Sequence, residues 1–345
     1  MSTTARISGA ERGRRMLRSL RSLRSYGLPL TALAATWIYF YATTDSFRGT
    51  GAVFPVLEGF ALLGIVALGV GMTMLAGELD LSVASMAAVG GVVAVKMAEL
   101  GLVPALFIAA AVGVAVGASQ GYAIARLGIN SLVFTVGTLI LLRGLAYLGA
   151  DNKAILLENF EVSDPLLLRW WIISPGVIIA AVLFVLAGAF LAFTKWGREI
   201  YAVGGGRQEA VAAGVPKNRA IVVTFTCSAA LAALAGAIAS IKGGSAAPGN
   251  YQDILLTGVS AALIGGVSLY GGRGTVLHIV LGVAVISTIA AGLAAKGSQG
   301  YVTQLATGAL LVAVIAIEYG AARVAQARKH GVHQQAVLEG RGGGP

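Results

Sequence analysis

Seven ionisable residues lie within or beside the long apolar segments of this sequence, namely Glu58, Glu78, Asp80, Lys96, Glu99, Arg143 and Asp253. A charge at the centre of a membrane costs roughly 2.5–3.5 kcal/mol on insertion scales, so such a residue is a candidate for function. Most of the seven lie close to a segment end, where a long side chain reaches water, and only Glu58 and Arg143 are predicted to be internal. A proton- or sodium-coupled carrier usually needs several intramembrane carboxylates or an ion site at a broken helix. We therefore expect that transport by this chain would draw its energy from elsewhere.

The residue patterns of common enzyme and nucleotide sites are missing. The sequence has no G-x-S-x-G elbow, no G-x-x-x-x-G-K-[ST] phosphate loop and no His/Cys/carboxylate set at metal-ligand spacing. The glycine-rich stretch Gly204–Arg207 resembles a phosphate-binding loop, but it lacks the Lys-Ser/Thr pair and a preceding strand. We expect no catalytic residue, no metal site and no cofactor bound by this chain, which disfavours a membrane-embedded enzyme.

The composition indicates which elements must position these side chains. Of 345 residues, 57% are hydrophobic and only 12% are charged, whereas a soluble domain has about 25% charged residues. The apolar runs are far longer than the roughly 10-residue strands of a membrane β-barrel. The chain is therefore predicted to be an all-α polytopic membrane protein.

About ten transmembrane helices are predicted from runs of the length that crosses a bilayer. The eighth run is short and is consistent with a broken or re-entrant helix. The ten runs are 27–43, 54–76, 81–98, 102–125, 131–149, 174–194, 219–242, 251–266, 275–294 and 299–318.

Charge distribution predicts the orientation and the division of the chain. Most of the 25 Lys and Arg residues fall on the side of the N-terminus, and the positive-inside rule places that side in the cytoplasm. Both termini are then cytoplasmic. The predicted parts are a basic cytoplasmic arm at 1–25, a transmembrane domain at 26–318 and a flexible cytoplasmic tail at 319–345.

The fourth run and the turn before the third carry two packing signals. Gly113, Gly117 and Gly121 recur every four residues, which predicts a ridge where another helix approaches closely. Asp80 precedes the third run, where its carboxylate is suited to cap the helix. Substrate contact is the alternative for Asp80 and is less favoured.

The loop at 195–219 is polar in an otherwise apolar chain. Gly204–Gly206 are predicted to interrupt the chain with positive φ angles, and Gln208–Ala213 are good helix formers. Gly214 and Pro216 end that run. A helix of one or two turns is too short to be stable alone, so we expect it to dock against a cytoplasmic partner. A merely solvated loop is the alternative.

Four collinear blocks resemble the permease subunits of binding-protein-dependent ABC importers, in particular the ribose/xylose/galactoside group. The resemblance covers about residues 30–318, and the 197–219 block is similar to the coupling segment that docks on the ATPase. The blocks are GMTMLAGELDLSVASM (71–86), SLVFTVGTLILLRG (131–144), GREIYAVGGGRQEAVAAGVPKNR (197–219) and ALIGGVSLYGGRGTV (262–276).

The sequence departs from the pattern of that family at four positions. Gly206 stands where Asn is usual, which bears on how the coupling loop folds. Asn130 replaces a usual Pro, Thr257 a common Asp, and Ala84 a common Gly. These last three bear on the transport path or the substrate, and they weaken an assignment to ribose itself.

The resemblance implies an importer assembled from several chains. Two permease subunits, either identical or different, would pair in a bacterial plasma membrane. Two separate ATPase subunits would bind ATP and dock on the coupling loop at 195–219. An extracytoplasmic binding protein would deliver a monosaccharide, and the movement of the docking helix would switch the access of the cavity.

The resemblance and the residue pattern together assign three groups of residues. Contact with the ATPase is expected from Gly205, Gly206, Glu209, Ala210 and Gly214. The substrate path is expected at Glu58, Asn130, Thr135 and Arg143, because a sugar requires planar polar groups. Turns are expected at Gly77, Asp80, Gly265, Gly266, Gly271 and Gly272.

Two other functions stay open at this point. The first is an ABC permease for branched-chain amino acids or nucleosides. The second is an independent secondary transporter or channel, which would move substrate without an ATPase. No nucleic-acid partner is expected, because the net charge of +10 is placed at membrane edges, where it sets topology.

Overall fold

The computed structural model describes residues 26–316. The predicted arm at 1–25, the predicted tail at 319–345 and the last two residues of the predicted transmembrane domain lie outside the described residues. The described chain is mostly helical. Its α-helices are α1 26–43, α2 Val53–Leu75, α3 Val83–Lys96, α4 Leu102–Leu127, α5 Ser131–Gly149, α6 Asp164–Leu167, α7 Pro175–Phe193, α8 Lys195–Gly205, α9 Arg207–Ala212, α10 Lys217–Lys242, α11 Ile254–Gly265, α12 Val276–Ala295 and α13 Gly300–Ala316.

Each of the ten predicted apolar runs overlaps one of these helices. Among the described residues, six helices are long and apolar enough to cross a membrane, namely α2, α4, α5, α7, α10 and α12. The apolar helices α3, α11 and α13 are shorter. The polytopic all-α class therefore holds, while six of the ten predicted crossings meet the length and composition of a full span.

A small pair of strands interrupts the helical pattern. Strand β1, Ile155–Leu156, pairs antiparallel with β2, Ser245–Ala246. The pair joins the loop after α5 to the segment after α10. Two-residue strands leave no alternation of polar and apolar residues to detect, so the sequence did not predict them.

The centre of the bundle is built around α10. This helix packs against α2, α3 and α4. Of the 18-residue apolar stretch of α10, 61% is buried inside the protein. The corresponding fractions for α4, α5 and α7 are only 22%, 17% and 22%. These three helices therefore present most of their apolar surface outward, as a helix in contact with lipid does.

The predicted glycine ridge of α4 is confirmed and lies against α10. A Cβ on Gly113 would lie 2.6 Å from the carbonyl oxygen of Ala229, and one on Gly121 would lie 2.8 Å from Cα of Val222. Between them, a Cβ on Gly117 would overlap the backbone at Phe225. Without side chains at these positions, the two helix backbones approach each other directly.

The α4–α10 contact predicts that Gly117→Val destabilises the protein by about 1–3 kcal/mol, the usual cost of overpacking. Gly137→Val is the matched control, because nothing lies within 4 Å of a Cβ on Gly137 of α5. Thermal unfolding in detergent should show a lower midpoint for Gly117→Val than for Gly137→Val. Equal midpoints would contradict the close contact of α4 with α10.

Candidate functional site

The polar segment at 195–219 forms two consecutive helices. Thr194 Oγ1 accepts a hydrogen bond from the Gly197 backbone N–H at 3.1 Å and so begins α8. Helix α8 packs inward through Ile200 and Val203, which are buried. The hydroxyl of Tyr201 donates to the carbonyl oxygen of Gly274 at 3.1 Å. Burial, with a smaller contribution from Tyr26, raises the pKa of Tyr201, so this hydroxyl keeps its proton at neutral pH.

The short helix α9 lies where the docking helix was predicted. It spans Arg207–Ala212 and is followed by Gly214 at φ +79°, which is the left-handed conformation that glycine favours at a helix end. Ala210 is buried against the protein. Arg207, Gln208, Glu209 and Val211 are exposed, so α9 offers a polar face with one apolar side chain to the solvent.

The prediction for Gly204–Gly206 was wrong in its physical reason. Gly204 and Gly205 belong to helix α8, and Gly206 has an extended φ of 178° that any residue adopts. None of the three has a positive φ. A Cβ on Gly206 would lie 2.6 Å from Oε2 of Glu209, an exposed and flexible side chain that can move aside.

Gly204 is required because three backbones meet at it. A Cβ on Gly204 would overlap the carbonyl oxygen of Leu75 at the end of α2, and would lie 2.6 Å from the N of Gly272. The Gly272 N–H donates to the Leu75 carbonyl at 2.9 Å. Gly271, at φ +87°, lies against Gly77, at φ +75°. We call Leu75, Gly77, Gly204, Gly271 and Gly272 the glycine junction.

Two ion pairs fix the helices of the coupling segment to the membrane helices. Arg207 of α9 pairs with Glu78, whose side chain is only 8% exposed, in the turn between α2 and α3. Glu199 of α8 pairs with Arg219 at the start of α10, where Nε of Arg219 donates to Oε2 at 2.9 Å. These pairs connect α9 to the turn between α2 and α3, and α8 to the start of α10.

Asp80 is fully buried, which differs from the expected position near water. Its Oδ1 accepts the backbone N–H of Ser82 at 2.9 Å and the hydroxyl of Ser82 at 2.6 Å, and its Oδ2 accepts the hydroxyl of Ser228 at 2.9 Å. Ser82, not Asp80, is the N-cap residue of α3, and no side chain caps that helix. Asp80 instead ties the start of α3 to the middle of α10.

The hydrogen bonds continue from Asp80 to two further helices. Nε2 of Gln120 in α4 donates to Oγ of Ser82 at 3.0 Å and to Oγ1 of Thr138 in α5 at 2.8 Å. Gln120 is 3% exposed. The chain of polar side chains from Ser228 to Thr138 therefore connects α10, α3, α4 and α5 within the core.

The four predicted path residues do not converge on one cavity. Glu58 of α2 forms an ion pair with Lys242 of α10 and accepts a hydrogen bond from Ser174. Glu58 and Lys242 lie beside a cavity of about 310 Å³ between α2, α7 and α10. Apart from this pair, its walls are formed by alanine, glycine, leucine and isoleucine.

Of the other three path candidates, Asn130 is the N-cap of α5 and Thr135 and Arg143 belong to α5, and the three have different environments. Asn130 is exposed and caps α5, accepting the N–H of Leu132 at 2.9 Å. Thr135 is buried, and its hydroxyl lies 3.4 Å from the carbonyl of Leu79. Arg143 is half-buried beside a narrow cleft, and lies apart from the Glu58 cavity. The cleft also contains Ser85, Asn250 and Gln252.

The predicted turn glycines divide into two kinds. Gly77, Gly266, Gly271 and Gly272 have positive φ angles. Gly265 does not, and it allows a close approach instead, because a Cβ there would overlap the carbonyl of His278 in α12.

Sequence reasoning missed the partners that make these residues a connected site. Arg207, Glu199, Gln120 and Lys242 each bind a residue more than 15 positions away. Only Arg207 offered a signal, because it follows the glycines of the coupling loop directly. Long-range pairing leaves no local pattern in a single sequence.

The comparison with protein families now decides the class of this bundle. The family described as "Branched-chain amino acid transport system / permease component" matches residues 52–315. The chain belongs to this permease family. The match contains α2 to α12, including the polar segment at 195–219 with α8 and α9, and the glycine junction.

Three curated relatives agree with this assignment. The L-arabinose transport system permease protein AraH of Escherichia coli K12 is 31% identical over 72% of this chain and 75% of its own length. The inner membrane ABC transporter permease protein YjfF of the same organism is 34% identical over 75% and 81%. The fructose import permease protein FruG of Bifidobacterium longum is 32% identical over 76% and 82%. No solved structure matches the chain.

The buried Asp80 network predicts a graded response to substitution. Asp80→Ala leaves the backbone N–H of Ser82 and the hydroxyl of Ser228 without their acceptor, and we expect a loss of about 2–6 kcal/mol because each buried unpaired group costs about 1–3 kcal/mol. Asp80→Asn keeps one acceptor oxygen and should cost less. Thermal unfolding in detergent measures both variants.

Asp45→Ala is the control for the Asp80 variants, because the Asp45 side chain is 92% exposed. Its midpoint should equal that of the unaltered protein. An Asp80→Ala midpoint equal to that of Asp45→Ala would contradict a structural role for the network.

Proposed function

We propose that this chain is the membrane-spanning subunit of an ATP-driven importer that translocates a monosaccharide. The observation that carries the proposal is the similarity over about three quarters of the chain to permeases whose names specify L-arabinose and fructose. A sugar is preferred over a branched-chain amino acid, although the family description mentions the latter. Two separate ATPase subunits, a second permease subunit and an extracytoplasmic binding protein complete the proposed assembly.

The coupling segment supports the proposed ATPase partner. Helix α9 has only six residues, and an isolated helix of that length is unstable in water. Here Ala210, the Arg207–Glu78 ion pair and the Gly214 end hold α9 on the bundle, while Glu209 and Val211 face outward. A preformed, exposed helix loses little conformational freedom when a partner binds.

The glycine junction and the Asp80 network supply the proposed route from the ATPase to the membrane helices. Closure of the ATPases on bound ATP would displace α8 and α9. The contacts of the junction are between backbone atoms, so no side chain lies between these segments to absorb the displacement. Helices α2, α3 and α10 would then shift together and change the access of the transport path.

The proposed location is the plasma membrane of a bacterium, with the coupling segment in the cytoplasm. The positive-inside distribution supports this orientation, as does the similarity to a permease named as an inner membrane protein. ATP would be bound by the partner subunits, and this chain itself would supply the path and the docking helix.

One reconstitution separates the proposed importer from its alternatives. The complex with its ATPase and binding protein would be placed in proteoliposomes and supplied with a panel of monosaccharides, branched-chain amino acids and nucleosides. ATP-dependent uptake of a monosaccharide supports the proposal. Uptake of an amino acid or a nucleoside would show that the proposed substrate class is wrong. Gradient-driven flux through the chain alone would show that the chain is a secondary transporter and not an importer subunit.

A substitution of Gly214, which follows α9, is expected to abolish transport without unfolding the protein. Gly214 and Gly128 both have positive φ angles, +79° and +64°, and neither has an atom within 4 Å of an added Cβ. Proline fixes φ near −65°, so the two Gly→Pro variants carry a similar local strain. Gly214→Pro should abolish ATP-dependent uptake, whereas Gly128→Pro should retain it.

Glu209→Arg tests the exposed face of α9 in the same assay. Glu209 makes no ion pair among the described residues, so its reversal should leave membrane insertion unchanged while uptake is lost. Uptake at the level of the unaltered protein in both Gly214→Pro and Glu209→Arg would contradict a docking role for α9.

A further inference from the structure

A second cavity, of about 300 Å³, lies between α2, α11, α12 and α13. Ligand pockets usually begin at about 300 Å³, so the space suits one small molecule of monosaccharide size. Its apolar wall comes from Leu62, Leu63, Ile254 and Ile286, and it is separate from the Glu58 cavity in all but Leu62.

The polar groups of this cavity are the kinds that bind sugar hydroxyls. They are one carboxylate, one amide and four hydroxyls, contributed by three helices and by Asp253, which precedes α11. A few placed polar groups on an otherwise apolar wall are typical of small-molecule sites. The six residues are Asp253, Thr257, Ser287, Thr303, Gln304 and Thr307.

Ser287 provides an independent sign that a ligand is expected. Its side chain is only 2% exposed, and its Oγ has no hydrogen-bond partner among the described residues. A buried hydroxyl without a partner costs about 1–3 kcal/mol. Gly59 of α2 faces it without a side chain, since a Cβ on Gly59 would lie 3.8 Å from Oγ of Ser287.

Asp253 and Gln304 lie at the exposed end of the cavity. Nε2 of Gln304 donates to Oδ2 of Asp253 at 2.6 Å, and both residues are exposed. Asp253 makes no salt bridge among the described residues, so its carboxylate is available to hydroxyl donors. Thr257, where this chain departs from the family pattern, lies one helical turn further in.

We propose that this cavity binds the transported monosaccharide on its way through the membrane, with the Ser287 hydroxyl and the Asp253 carboxylate as hydrogen-bond partners of its hydroxyl groups. The inference rests on the proposed function. Ser287 lies eight residues before the end of α12 at Ala295, which places it roughly 12 Å from that end at 1.5 Å per residue. In the proposed orientation that end faces outward, where a binding protein would release the sugar.

Two matched alanine substitutions test the site in the complete reconstituted complex. Gly59→Ala adds a methyl group 3.8 Å from Ser287 in the polar cavity, and Gly176→Ala adds one 3.6 Å from Ser174 at the Glu58 cavity. Both glycines are helical and both contacts are of ordinary length, so both variants should fold. Ser287→Ala removes the hydroxyl alone.

The quantity to measure is the maximal rate of sugar uptake with saturating, sugar-loaded binding protein. Ser287→Ala should lower it about 3- to 10-fold, the range that one neutral hydrogen bond covers. Gly59→Ala should also lower it, because its methyl group takes up space beside the Ser287 hydroxyl. Gly176→Ala should leave it unchanged. Unchanged uptake in Gly59→Ala and Ser287→Ala would overturn the inference, as would a loss confined to Gly176→Ala.

A labelling experiment tests occupancy without transport. Thr303→Cys in a Cys227→Ser background would be treated with a thiol-specific reagent in the purified permease–ATPase complex. The transported sugar should slow the labelling, while a monosaccharide that is not transported should not. A labelling rate that does not change when the sugar is added, or labelling that is blocked by phospholipid alone, would overturn the inference.

These results are distinguishable from a failure of the proposed function. If the unaltered complex imports no monosaccharide, the proposed function fails. If it imports one and the cavity variants behave like the unaltered complex, only the proposed sugar site fails.

Discussion

The structure depends on a contact between backbones that leaves no room for a side chain. Gly204 at the end of α8, Leu75 at the end of α2 and Gly272 before α12 meet at one point, and the Gly272 N–H donates to the Leu75 carbonyl at 2.9 Å. Packed backbones transmit displacement because interiors are dense and hardly compressible. The segment that is exposed to the cytoplasm in the proposed orientation is therefore joined rigidly to the centre of the bundle.

The buried Asp80 carries this connection further at an energetic cost. A carboxyl group without water must have its hydrogen-bond partners in place, and Ser82 at the start of α3 and Ser228 of α10 supply them. Gln120 extends the network to α4 and α5. Helices that share one satisfied network cannot move independently without leaving polar groups unpaired. This constraint opposes the independent displacement of α3, α4, α5 and α10.

Sequence periodicity and composition predicted the membrane class, the positions of the ten apolar helices and the short helix after Gly206, but neither α6 nor α8. They succeeded because apolar length and helix-ending residues are local signals. The glycine ridge of α4 was also predictable, since its spacing alone identifies one face. The four residues assigned to the path do not line one cavity, because hydropathy identifies a polar residue in an apolar run without giving its neighbours. Asn130 caps a helix and Thr135 is buried. Lys242, Gln120 and Ser287 were not predicted, because their partners or cavity neighbours lie far away in the sequence.

The most direct test is the number of sugar molecules imported per ATP hydrolysed by the reconstituted complex. Gly204→Ala should separate α8 from α2, so ATP hydrolysis should persist while uptake per ATP falls severalfold. Gly137→Ala is the control, because its added Cβ has nothing within 4 Å. If Gly204→Ala keeps the same uptake per ATP as Gly137→Ala in correctly folded protein, the glycine junction does not couple ATP hydrolysis to transport.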